Sequence, residues 1–117
     1  MRLLLPALSV VIALSGGALA QSPFRVTYQV GRTTGSQVEV KGVVFNEGRG
    51  DAIDVSVTAE ALDANGKVLA RGITYVASRL PERGSAYYTA KVPLTDGTVS
   101  YRVTVTSFRF APSLQGP

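Results

Sequence analysis

The 117-residue chain has no cysteine and no histidine. Without cysteine there are no disulfides, so a small domain must hold together by packing and strand pairing alone. Zinc sites built from cysteine or histidine are excluded. So are nucleophile and base pairs that depend on a thiol or an imidazole. Nowhere do three basic residues stand in a row, which removes the clustered patch expected of a nucleic-acid binder. No stretch after the first twenty residues has a convincing helical period. Gly31-Arg32 and Gly48-Arg49-Gly50 are therefore not phosphate cradles, because no helix follows to add its N-terminus. No cofactor or metal is expected from these residues.

What is present begins with "MRLLLPALSVVIALSGGALA". One basic residue, Arg2, precedes an apolar run through Leu14, and Ala18-Leu19-Ala20 supplies a small-x-small ending. These are the marks of a secretory signal peptide, with cleavage expected before Gln21. The competing reading is a membrane anchor. The run is short for a span of about 20 residues, and Pro6 and Gly16-Gly17 interrupt it. No cysteine follows the cut, so a lipid anchor is excluded. Removing twenty of the 117 residues leaves 97, with 11 basic and 8 acidic side chains. Export to the periplasm or the medium is expected, with no membrane span after cleavage.

The remaining chain is dominated by period-2 alternation. In "IDVSVTAEA" (53–61), Ile53, Val55, Val57, Ala59 and Ala61 share one face, and Asp54, Ser56, Thr58 and Glu60 share the other. Strands place successive side chains on opposite faces, so the segment has one dry and one wet side. Phe24, Val26, Tyr28 and Val30 alternate likewise, as do Ala86, Tyr88, Ala90 and Val92, and Val99, Tyr101, Val103 and Val105. Val38, Val40, Gly42 and Val44 share a face. In "KVLARGITYVA" (67–77), Gly72 marks a bulge or a break. Turn signals fall at 31–35, 46–51, 63–67, 80–84 and 94–97. Six strands, or seven if 67–77 divides, with turns this often, predict an all-β, immunoglobulin-like β-sandwich of antiparallel strands. The organisation is a leader over 1–20, the sandwich over 21–110 and a flexible tail over 111–117.

Asp63-Ala64-Asn65-Gly66 has the look of half a calcium loop. A helix–loop–helix site needs oxygen ligands at positions 1, 3 and 5 and a glutamate at 12. Here position 5 is Lys67 and position 12 is Thr74, so the segment reads as a hairpin turn. Asn65-Gly66 tolerates φ > 0, and Asp63 pins the backbone two residues on. Glu47, Asp51 and Asp54 remain a weaker calcium candidate in one loop.

"GVVFNEG" (42–48), "AIDVSVTAEALDANGKVLARG" (52–72) and "LPERGSAYYTAKVP" (80–93) resemble the FxLYD-type bacterial envelope domain. Gly42, Val44, Asn46 and Gly48 match its first element, Asp63 and Gly66 its second, and Pro81, Gly84 and Tyr88 its third. The naming motif is degenerate, since only Asp63 survives in Ala59-Glu60-Ala61-Leu62-Asp63. The resemblance implies an immunoglobulin-like sandwich and an envelope location, and it brings no catalytic residues.

Val43, Phe45 and Leu62 are apolar in the outward phase of their strands, and Tyr87 half covers the surface. These four are the candidate contact residues. The expected function is an exported, non-catalytic module for protein contact or envelope assembly. Its partner is an envelope protein or a second copy, met through an edge strand, with 24–30 and 68–77 as the candidate edges. The alternatives are a small carboxylate-dependent hydrolase, which needs two carboxyls across a cleft within about 10 Å, and a calcium- or carbohydrate-binding module. Export is checked by N-terminal sequencing of the mature protein, which is expected to begin within a few residues of Gln21. A chain that keeps Met1 and stays in the membrane overturns the leader.

Overall fold

The computed structural model describes residues 22–112 and the backbone of 10–13. The rest of the expected leader, and 113–117 of the expected tail, lie outside the described residues. The strands are β1 (Val10–Ala13), β2 (Phe24–Thr34), β3 (Gln37–Asn46), β4 (Ala52–Leu62), β5 (Val68–Leu80), β6 (Ser85–Pro93) and β7 (Ser100–Phe110). Sheet A has the order β1-β2-β3-β6 and sheet B the order β5-β4-β7, with every pairing antiparallel. The fold is the expected all-β sandwich. β2, β3 and β6 take the places of the first, second and fifth strands of an immunoglobulin-like sandwich, and β4 and β7 those of the third and sixth. β5 joins the sheet of β4. Among the described residues no seventh strand lies beside β7.

The core forms where the alternating faces meet. Phe24, Val26, Tyr28, Val38, Val40 and Val44 from sheet A bury against Val55, Val57, Ala59, Ala61 and Val103 from sheet B. Alanine at 59 and 61 lets the sheets approach, and valine elsewhere fills the gap between pleats. Two tyrosines enter this core, and each finds a backbone acceptor. The Tyr28 hydroxyl donates to the Tyr101 carbonyl at 2.7 Å and that of Tyr88 to the Thr27 carbonyl at 2.8 Å. Burial pushes both phenols up from their ordinary range.

Several expectations need correction. Ile53, expected on the dry face, is only half-buried, whereas Ala52 and Val55 are fully buried. Asp54 has φ 53°, and the ladder of β4 shifts on both sides between 53 and 56, so one residue is bulged and the phase changes. Val99 precedes β7 and is exposed. The turn expected at 31–35 shrinks to Gly35-Ser36, with Gly35 at φ 60°, because β2 runs on to Thr34 across a register shift. At 63–67 only Gly66 has positive φ (82°). Asp63 accepts from the amides of Asn65 (2.8 Å) and Lys67 (2.9 Å), and the Asp63 amide donates to the Lys67 carbonyl at 3.0 Å. The loop is therefore longer than the two-residue Asn-Gly turn, though Asp63 pins it as expected. Those two amide hydrogen bonds hold the Asp63 carboxyl below its usual range.

Gly72 neither breaks nor bulges its strand. β5 is continuous from Val68 to Leu80, and its register shifts lie elsewhere. A Cβ at Gly72 would stand 2.0 Å from the Lys91 carbonyl oxygen of β6. The glycine lets the edge of sheet B close against the edge of sheet A. Gly42 meets a carbonyl at the same 2.0 Å, that of Thr27, but on the neighbouring strand of its own sheet. Gly72→Ala is thus expected to cost about 2–3 kcal/mol through forced backbone displacement. Gly66→Ala, strained by φ alone and with open space around it, should cost about 1 kcal/mol. Urea denaturation of both variants reads this order, and the reverse order would refute the close approach.

Candidate functional site

The end of the sandwich where β3 stops is built on Asn46. Its side chain is fully buried, because it closes the inward-facing row of β3. The Nδ2 group donates to the carbonyls of Gly50 (3.0 Å), Leu80 (3.0 Å) and Pro81 (3.3 Å), and Oδ1 accepts from the Gly48 amide at 3.0 Å. Its backbone amide donates to the Gly84 carbonyl and its carbonyl accepts from the Arg83 amide. One residue therefore ties the β3–β4 loop to the β5–β6 loop. Arg83 is held at φ 64° in that connection.

Beside these loops lies an open cleft of about 840 Å³, lined by Arg25, Phe45, Glu47, Arg49, Glu82 and Arg83 among others. Glu47 and Glu82 share it, an arrangement the sequence did not reveal because the residues are 35 apart and the loops meet only in the fold. Each carboxylate is engaged: Arg25 Nε donates to Glu47 at 2.9 Å, and the Gly50 amide donates to Glu82 at 3.2 Å. Arg49 and Arg83 form no ion pair among the described residues.

The calcium candidates do not converge. Asp51 accepts from the Glu82 amide and from Arg79, and these interactions, in that order, hold its carboxyl below the usual range. Asp54 accepts from the Tyr75 hydroxyl at 2.8 Å and lies 3.6 Å from Arg109. Glu47 faces Arg25. No group of three ligating side chains is present among the described residues.

The outer face of sheet A brings three of the four candidate contact residues together. Val43 stands directly opposite Tyr87 across β3 and β6, and Phe45 is the next outward residue along β3. Tyr87 is 84% exposed, while Val43 and Phe45 are half-buried. The Arg25 guanidinium lies 3.9 Å above the Phe45 ring, as its opposite position on β2 requires. Thr27, Gln29, Lys41 and Thr89 border Val43 and Tyr87 in a shallow groove. Leu62 is elsewhere: it ends β4 in sheet B, half-buried, between Ser100 and Val68 in register.

Sheet B carries a second apolar surface that sequence reasoning missed. Ile73 and Tyr75 are 70% and 57% exposed on β5. Putting Gly72 in phase with Ala70 and Val76 would have exposed them as the opposite phase. Beside them Glu60 accepts from both Arg71 and Arg102 across three strands. Burial disfavours its charge, but the two guanidinium groups outweigh burial and hold its carboxyl below the usual range.

Comparison with known proteins finds no matching family model, curated protein or solved structure.

The Asn46 hub makes a test with a defined sign. Asn46→Ala leaves several backbone groups without partners and should cost about 2–4 kcal/mol, since each buried unpaired group costs about 1–3 kcal/mol. Asn46→Asp places a carboxylate among carbonyl oxygens, which raises the folded-state pKa of the new group above its unfolded value. Its native-state contribution is then present at low pH and lost as pH rises through the raised value. Thermal melts should show this variant recovering part of its loss on acidification relative to wild type. A deficit independent of pH would contradict the hydrogen-bond assignment.

Proposed function

We propose that this chain is an exported, non-catalytic β-sandwich module that makes a protein contact in the cell envelope. The contact surface is the outer face of sheet A. The observation that carries the reading is the Val43–Tyr87 register pair with Phe45 beside it. An outward face of a sheet exposed to water alternates apolar-in with polar-out, and these three positions depart from that rule side by side. A large aromatic side chain at 84% exposure, next to a partly covered aromatic–arginine pair, is the composition enriched at interface centres. The amino-terminal marks of a leader and the resemblance to FxLYD-type domains support the envelope location.

A second reading, a carboxylate-dependent hydrolase, has the shared cleft of Glu47 and Glu82 in its favour. Against it, both carboxylates of that cleft are already engaged, Glu47 by the Arg25 guanidinium and Glu82 by the Gly50 amide, and no imidazole or thiol stands by to act with them.

The test is the pair Tyr87→Ser and Val43→Lys. Outward changes away from core features usually cost within about 0.5 kcal/mol, so the thermal midpoint should move by only a few degrees. Capture of the envelope partner by the tagged protein should be lost. Undiminished capture would remove the proposed surface. Glycan turnover by wild type that disappears in Glu82→Gln would establish the hydrolase instead.

A further inference from the structure

The two flanks of the sandwich are finished differently. On one, β5 and β6 close on each other at Gly72 and the Lys91 carbonyl. On the other, β2 and β7 are the outermost strands of the six-stranded body. There the sheets are joined by the Tyr28–Tyr101 hydrogen bond and by the edge-to-face contact of Phe24 with Phe108, at 4.8 Å. The edge of β2 is available to a further strand, and one occupies it. Val10–Ala13 pairs antiparallel with β2, with Val11 opposite Tyr28 and Ala13 opposite Val26.

The edge groups of β2 can be identified. Asn46 directs both its amide and its carbonyl toward the Arg83–Gly84 side, away from β2. Its partner Phe24 therefore turns its own backbone groups away from β3, and by alternation so do Val26, Tyr28 and Val30. Nothing blunts this edge between Phe24 and Val30. It has no proline, no inward charge and no register shift before Val30.

We propose that the β2 edge is a strand acceptor that pairs with β2 of a second copy, and that Val10–Ala13 covers it until the leader is removed. The proposal rests on the export reading above. The second copy is the occupant because β2 is self-complementary. In a two-fold antiparallel pairing, Val26 meets Tyr28 of the other copy, Thr27 meets Thr27, and Arg25 meets Gln29. Apolar residues then stand opposite both Val26 and Tyr28, at the register positions that Ala13 and Val11 hold. No like charges face each other. The arrangement is isologous and closes as a dimer. It makes one continuous sheet, β6-β3-β2-β2-β3-β6, with both Val43–Tyr87 surfaces on the same side.

Sedimentation equilibrium and amide exchange test this on two natural forms, the unprocessed 117-residue chain kept in the cytoplasm and the processed exported protein. The processed protein should be a dimer, with slow exchange at Val26 and Tyr28 that speeds up on dilution. The unprocessed chain should be a monomer with those amides protected. In the unprocessed chain Ile12→Pro should break β1 and yield the dimer without processing, so the edge is read even if export fails. In the processed protein Gln29→Lys sets a like charge against Arg25 twice per dimer and should weaken association about tenfold. Monomers in both the processed protein and the Ile12→Pro chain would overturn the proposal. So would a dimer indifferent to Gln29→Lys, or edge amides protected by a bound foreign peptide.

Discussion

Two of the three passages of the chain between the sheets converge on the buried amide of Asn46. With no disulfide available, something else must fix the β3–β4 and β5–β6 loops, and a single side chain with its donors and acceptor filled does so. The interaction is costly to disturb because its partners are backbone groups, and a backbone group left buried without a partner costs free energy. Everything at this end follows from it. Gly48 is drawn in where a Cβ would stand 2.9 Å from Pro23 and 3.0 Å from Phe110. Arg83 is held at positive φ, and the charged cleft takes its outline from the two tethered loops.

Two glycines set close backbone approaches, Gly72 between the sheets and Gly42 between neighbouring strands of sheet A. Gly42 and Gly72 have ordinary φ values, and both are needed because a neighbouring carbonyl occupies the space of the missing side chain. The resemblance motif of Gly42, Val44, Asn46 and Gly48 therefore has a complete structural reading in this chain. Gly42 admits a carbonyl, Val44 is core, Asn46 tethers and Gly48 fits beneath Pro23 and Phe110. None of the four presents a reactive group, so the motif describes how the sandwich is held and leaves function to the surfaces around it.

The sandwich was legible because each strand buries one face and period-2 alternation records that directly. The inward residues of β2, β3 and β6 follow the expected phase. The misplaced positions are those where the period is interrupted. The phase of Ile53 was lost to a bulge at Asp54, whose left-handed backbone no alternation count reveals. Gly72 reads locally as a bulge or a break, but its reason is the Lys91 carbonyl in another sheet. The candidate surface was half legible. Val43 and Phe45 stood out by phase, but their meeting with Tyr87 depends on the β3–β6 pairing. Leu62 satisfied the same rule and lies in the other sheet. The Glu47–Glu82 cleft was invisible for the same reason, since it exists only where two loops are tied together.

The ion pairs gather on sheet B, beside the exposed Ile73 and Tyr75. On sheet B, Glu60 with Arg71 and Arg102 cross-links three strands, and Asp54 and Asp51 engage Arg109 and Arg79. Exposed ion pairs of this kind contribute little stability, with a median near 0–1 kcal/mol. They do occupy the wet positions with groups that hold water and resist adventitious pairing. Sheet A has no ion pair on its outer face beyond Arg25–Glu47 at the rim among the described residues. Its central row is Thr27, Val43 and Tyr87, uncharged from edge to edge. A surface that leaves its middle row uncharged, next to a strand edge with no proline, keeps desolvation cheap where a partner would dock. Those two properties of sheet A are the ones on which the proposed contact rests.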